Sequence, residues 1–559
     1  GATTADDDAM LQAALKGNKQ ALTQLQAAAN SNDTVAQYHL GDYYYYSNQQ
    51  YTQAFVWYQK SAGNGDPIGE FDLGYAYENG EGVSQDDDQA LAWYQKSANA
   101  GNAEAENKVG DFYYSGHVVN KDWQQAFNWY QQAAENGDPA GQFNLAFAYE
   151  HGQGTPQDYN QAYYWYKKSA DQGNSAAENK VGDFYYYGHA VKQDYGQAFA
   201  WYQKSANDGD PTGQFNLAYA YEYGQGVDPD DAQAFNLYQK SAAQGYAAAE
   251  REVGYFYYAG LGVTKDDNSA FKWFRKGAQD GDPSAQYSAA AFYETGIGTP
   301  QDYSQAFDLY LKSANQGYAG AETAVGDFYY YGRAVQQDYQ QAFAWYQKAA
   351  ADNDSKGQFD LAYDFEYGLG TQKDPNQAFA WFSKSAAQGN TAAETAMGDC
   401  YYNSLGVKQD YGQAVTWYQE AADQHFAAAE NKLGDCYYGG QGVGQDKQHA
   451  IQLYQQAAQD GDSSGEFNLG SRYADGNGEP QDCALAAYWY CQAAQAGSAA
   501  AADSLSELYI QGQGVPQNLS QAQYWADQAE KLQPGHSASA PNILQDFMSP
   551  KTNENAAKN

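Results

Sequence analysis

Long apolar runs are missing: nowhere in the 559 residues do 18 apolar residues follow one another. No helix is therefore expected to cross a bilayer. Cysteine is nearly missing too, with four residues, too few for a disulfide framework. Cys483 and Cys491 lie on one expected helix about 12 Å apart, beyond disulfide reach. Cys400 and Cys436 hold equivalent places in neighbouring segments, so either free thiols or a bridge between them fits the sequence. No histidine or second thiol sits at ligand spacing from any cysteine, and no metal is expected. Positive charge is scarce, with 30 Lys and Arg against 69 Asp and Glu and a net charge of −39. That field repels phosphate backbones and anionic headgroups, which argues against nucleic acid and membrane surfaces as partners. It favours cationic or uncharged partners, and it also keeps a long exposed chain soluble.

Catalytic constellations are absent as well. The seven histidines (His39, His117, His151, His189, His425, His449 and His536) are scattered and form no set with a nucleophile and an acid. Glycine-rich loops lack the Lys-Ser/Thr of a phosphate loop and end helices instead of starting them. Acidic clusters such as Asp86/Asp87/Asp88 and Asp228/Asp230/Asp231 do not have the spacing of an EF-hand, and read as helix caps or weak calcium ligands. The chain is accordingly read as a non-enzyme without a cofactor.

What the chain has is a register. Small residues recur at Gly41, Gly74, Gly110, Ala146, Gly182, Ala218, Gly254, Ala290, Gly326, Ala362, Gly398, Gly434, Gly470 and Ser506. Twelve of the thirteen intervals are 36 residues and the first is 33. A period of this length marks stacked helical hairpins. Around Gly182 the first helix runs over about Ala177–Gly188, and the second over about Gln197–Ala206 with Ala198, Trp201 and Tyr202 at packing spacing. Asn174, or the Asp of Gly-Asp-Pro in alternate segments, suits an N-cap. Asp194 with Gln197, and five similar pairs, suggest a capping box. Gly182 and Ala198 are expected where the two helices approach most closely. Residues 1–34 read as worn capping helices, 35–533 as the repeat array, and 534–559 as a tail with at most a short helix near 542–547.

The pattern Ala-x-x-x-Val-Gly-x-x-Tyr-x-x-Gly (177–188), an Asp-ended loop, then Ala-x-x-Trp-Tyr-x-Lys-x-Ala (198–206) resembles the Sel1-like repeat, a relative of the tetratricopeptide repeat. The resemblance covers about 35–530. It implies an all-α, right-handed α/α superhelical solenoid of about fourteen 36-residue helix-turn-helix repeats, with the first helices lining the concave face. It also implies adaptor proteins, often bacterial, periplasmic or secreted. The start Gly1-Ala2-Thr3-Thr4-Ala5 reads as a processed terminus, and with the Lys-poor, Tyr- and Asn-rich composition suggests a periplasmic or secreted protein; a cytoplasmic one is the alternative.

From about 100 to 387 the segments alternate, so the true period there is 72. One type reads Ala-Glu-Asn-Lys-Val-Gly-Asp-Phe-Tyr-Tyr (177–186), the other Gly-Gln-Phe-Asn-Leu-Ala-Tyr-Ala-Tyr-Glu (213–222). Positions three before and one, four and five after the small residue share a helical face pointing away from the packing residues. They supply the candidate concave-face residues. In the first type these are Asn107, Asp111, Tyr114, Asn179, Asp183, Tyr186, Tyr187, Asp327, Tyr330, Tyr331, Asp435 and Tyr438. In the second they are Phe147, Glu150, Tyr219, Glu222, Tyr223, Tyr363, Glu366 and Tyr367. Tyrosine, 55 residues in all, is thus interleaved with acids and amides. Such a ladder suits a protein or peptide with basic segments, whose stems pack on the rings. A glycan chain and self-association through the end segments are the alternatives.

Overall fold

The computed structural model describes residues 4–532. Among these there are thirty helices and no strand. None is long and apolar enough to cross a membrane. The chain divides into two compact units that meet in sequence at Asp266 and Asp267. Each is a run of antiparallel helix pairs in which a first helix packs on its own second helix and on those flanking it. Thr4–Leu15 and Lys19–Asn30 precede the regular array. The suggested helix near 542–547 and the tail lie outside the described residues.

Local chemistry sets the helix ends. Ser175–Tyr187 is capped by Asn174, whose side chain accepts from Ala177 N–H, and it stops at Gly188 in the left-handed region. Pro211–Tyr223 starts on Asp210 with proline in its first turn. In Tyr195–Asn207 only half of the expected capping box forms: Asp194 accepts from Gln197 N–H at 3.0 Å. The Asp194 N–H donates instead to Tyr185 O at 2.9 Å, which ties the loop to the preceding helix. The same substitution of a carbonyl for the glutamine recurs at Asp158, Asp302, Asp338 and Asp410.

The close approach foreseen at Gly182 is real, and the atoms nearest to it belong to Tyr202. A Cβ there would lie 2.6 Å from the ring of Tyr202, which slides over the gap in the first helix. Gly41, Gly110, Gly326 and Gly398 receive the equivalent tyrosines in the same way. Phe184 joins Val181 in the core, whereas Tyr185 and Trp201 are only half-buried. All four cysteines are free; burial pushes the thiols of Cys400 and Cys436 up to about 12 and about 11.

The loops carry the other essential glycines. Gly226 has φ +76°, and a Cβ would strike Tyr195 O at the start of the preceding second helix. Gly226→Ala should therefore cost about 1–3 kcal/mol. Urea unfolding checks this, and an unchanged midpoint would show that the loop relaxes without penalty.

Candidate functional site

The first helices lie side by side within each unit; Ser175–Tyr187 touches Pro211–Tyr223, and Ala319–Tyr331 touches Ser355–Tyr367. That contact changes the expected face. Asn107 and Asn179 are buried, not open to a ligand. Asn144 and Asn216 of the next first helix donate to their amide oxygens at 2.8 Å each. A helix position that looks outward from its own hairpin is here roofed by the neighbouring one.

The acids also turn partly inward. Tyr202 donates to Asp183 at 2.9 Å, Tyr130 to Asp111 at 2.9 Å, Tyr346 to Asp327 at 2.8 Å and Tyr454 to Asp435 at 2.8 Å. In the alternate hairpins Tyr166 donates to Glu150 at 2.6 Å and Tyr238 to Glu222 at 2.7 Å. A phenol buried in a helical core needs an acceptor. The first type supplies it one residue after the small position and the second type four residues after. The 72-residue alternation is thus two solutions to one hydrogen-bonding problem. Four hairpins break the pairing: Phe274 replaces the tyrosine where Tyr255 and Tyr258 stand in place of either acid, Phe382 leaves Glu366 without a phenol from its second helix, Tyr490 donates to the Ser471 hydroxyl at 3.2 Å, and Ala526 stands at the tyrosine position of the last hairpin. Burial raises two of these acids, Asp183 to about 6 and Glu222 to about 7.

The tyrosines at the ends of these helices remain open. Tyr187 is 40% exposed and Tyr223 55%; Tyr331 and Tyr367, 144 residues further on, are 37% and 49%. Tyr223 packs on half-buried Tyr219 with ring centres 4.4 Å apart, as Tyr367 does on Tyr363. Tyr186 and Tyr330 lie edge-on to Tyr187 and Tyr331 at 4.8 and 4.9 Å. The two units therefore carry the same cluster. They differ in charge: in the second, Lys356 bridges Asp327 and Asp360 at 2.9 and 2.7 Å, and Arg333 lies 4.9 Å over Tyr331. The first has Thr212 and His189 at those positions.

Asp111, Tyr114 and Phe147 meet in an open hollow, which Trp123, Phe127 and Phe143 also line. Tyr438 is engaged otherwise: its hydroxyl accepts from Asn477 at 2.6 Å and Arg472 lies 4.3 Å over its ring. Sequence reasoning missed Trp123 and Phe127, because it took second-helix aromatics as core. The acidic loop clusters are used as caps: Asp86 accepts from Gln89 N–H and Asp230 from Gln233 N–H, while Asp87 holds His117 at 2.6 Å.

Stacked α-hairpins of this register define an α/α repeat solenoid, a class that commonly serves as a protein-interaction scaffold. The Sel1 repeat model matches fourteen consecutive segments from 34–66 to 499–533, and the chain belongs to the Sel1-repeat family. Among solved structures, it is similar to a protective antigen present in uropathogenic Escherichia coli strains displaying an SLR fold. That likeness has 31% identity over 93% of this chain and 99% of the other, with a TM-score of 0.57. A Sel1 repeat protein from Oxalobacter formigenes shares 32% identity over 55% of this chain and 88% of its own, with a TM-score of 0.41. Among curated proteins none matches.

Proposed function

We propose that this chain is a non-enzymatic scaffold that captures a protein or peptide with basic segments on its first-helix face. The observation that carries the reading is the duplicated tyrosine cluster, Tyr187/Tyr219/Tyr223 and Tyr331/Tyr363/Tyr367. Tyr187, Tyr223, Tyr331 and Tyr367 each keep more than a third of their surface open, and aromatic rings of this kind anchor interfaces. In the first cluster Asp183 has one oxygen committed inward to Tyr202, and a lysine or arginine could engage the other while its stem lies on the rings; in the second, Lys356 already occupies Asp327 in this way. The likeness to a protein described as a protective antigen supports a periplasmic or secreted setting for this role.

The test is a displayed peptide library selected on the full chain. Selected peptides should be rich in Lys and Arg, and Tyr187→Ser/Tyr223→Ser should weaken them about tenfold or more with unchanged helicity. Peptides insensitive to the pair of substitutions would remove the cluster from the site. Salt-insensitive binding to a glycan array, lost in the same variant, would replace the protein partner by a carbohydrate.

A further inference from the structure

Glu430 sits in the first turn of Ala427–Gly439 and is 1% exposed. Its Oε2 has no hydrogen-bond partner. Asp460, which ends the helix Lys447–Gln459, faces it. The same pair of acids recurs in the sequence with the same spacing as Glu178 with Asp208, Glu250 with Asp280 and Glu322 with Asp352, and in the first and last of these the two acids face each other. There a lysine of the second helix neutralises the pair: Lys204 lies 2.7 Å from Glu178, and Lys348 faces Glu322. At the equivalent place beside Glu430 the residue is Gln456. The local cation has been withdrawn, and two carboxylates are left facing each other.

A second substitution accompanies the first. Just after the preceding second helix, these two lysine-bearing hairpins have glycines at positive φ, Gly173 and Gly317. The chain here has His425 at φ 59°, a conformation that an imidazole-bearing residue adopts at a cost. Its ring is 82% exposed, and Nδ1 lies 3.8 Å from Glu430 Oε1. One ligand atom each from His425, Glu430 and Asp460 falls within 4.8 Å of the other two. Ligands around a tetrahedral zinc ion stand about 3.4 Å apart at bond lengths of about 2.1 Å. A rotation of the exposed His425 and Asp460 side chains closes the difference, while buried Glu430 provides the fixed point. Asp462, the remaining acid nearby, is occupied as an N-cap, accepting from Gly465 N–H at 2.6 Å.

We propose that His425, Glu430 and Asp460 bind a divalent transition-metal ion of the zinc type, which takes the place of the lysine found in the sister hairpins. One imidazole and two carboxylates suit zinc and cobalt(II), and leave a coordination position for water. The sequence reading expected no metal, because it searched around cysteines; these three residues lie on three elements.

Titration of the metal-stripped full chain with Zn²⁺ should reveal one site tighter than the diffuse binding of an acidic surface. His425→Gly restores the residue that the sister hairpins use, so the variant should fold normally; it should lose at least tenfold in affinity for that site. Gln456→Lys should lose it as well, by supplying the internal cation. Cobalt(II) added to the wild type should give visible bands without thiolate charge transfer, which separates this site from the cysteines. Absence of a distinct site, equal affinity in His425→Gly, or a thiolate signature would each overturn the proposal.

Discussion

Tyr202→Ala is expected to lower stability by about 3–5 kcal/mol, the usual cost of emptying a buried aromatic site. The ring is 5% exposed and fills the notch at Gly182, so no side chain of the first helix stands ready to replace it. The loss has a second part, since Asp183 would lose the phenol that donates to it at 2.9 Å, inside a site where burial already raises its pKa to about 6. Tyr202→Phe keeps the ring and should cost only about 1–2 kcal/mol, the value of the hydrogen bond. Because each hairpin touches mainly its neighbours, the damage should be local at first. Hydrogen exchange should show lost protection in 175–246 before the rest of the unit melts. Alanine and phenylalanine variants of equal stability would show that the ring does not hold the hairpin.

The elements and their order could be read from the sequence because their causes are local. Asn174, Asp210 and Gly188 act within a few residues of the helix ends they set. The small residue at Gly182 gave the register, since one notch is needed in each hairpin. The candidate face was less legible. Helical periodicity says which side of Ser175–Tyr187 points away from Tyr195–Asn207, but not that Pro211–Tyr223 lies across part of that side and buries Asn179. Nor does it join Asp183 to Tyr202 or Glu222 to Tyr238, pairs 19 and 16 residues apart that meet only when the hairpin closes. A signal was nevertheless present: where Phe274 replaces the tyrosine, both acid positions are lost with it. Comparison of the repeats with one another carries information that a single helical face does not.

The same comparison isolates Asp364. Its counterparts in the sister hairpins are Ala148 and Ala220, yet this carboxyl is 1% exposed and neither oxygen has a hydrogen-bond partner. Burial, then the nearby Asp360 and Asp327, push it from 3.8 up to about 8. Tyr330 and Tyr346 also face it, and Lys356 is committed to Asp327 and Asp360. The folded state thus holds this proton far more tightly than the unfolded chain. Its contribution is fully favourable below about pH 4 and is lost as pH rises towards 8. Asp364→Ala should therefore be more stable than the wild type at neutral pH, with the gap widening by about 3–4 kcal/mol between pH 5 and pH 8. Other raised acids such as Glu322 titrate in the same range, so the measurement is the difference between the two unfolding curves at each pH, not the wild-type curve alone. Asp364→Asn should remove the pH dependence of that difference while leaving a buried amide without partners, and so gain less than alanine. A difference constant from pH 5 to pH 8 would mean that the carboxylate finds water or a cation on ionising. The growing difference would mark the core of Ser355–Tyr367 as weakened in alkali, next to the cluster of Tyr363 and Tyr367 that the proposed partner would occupy.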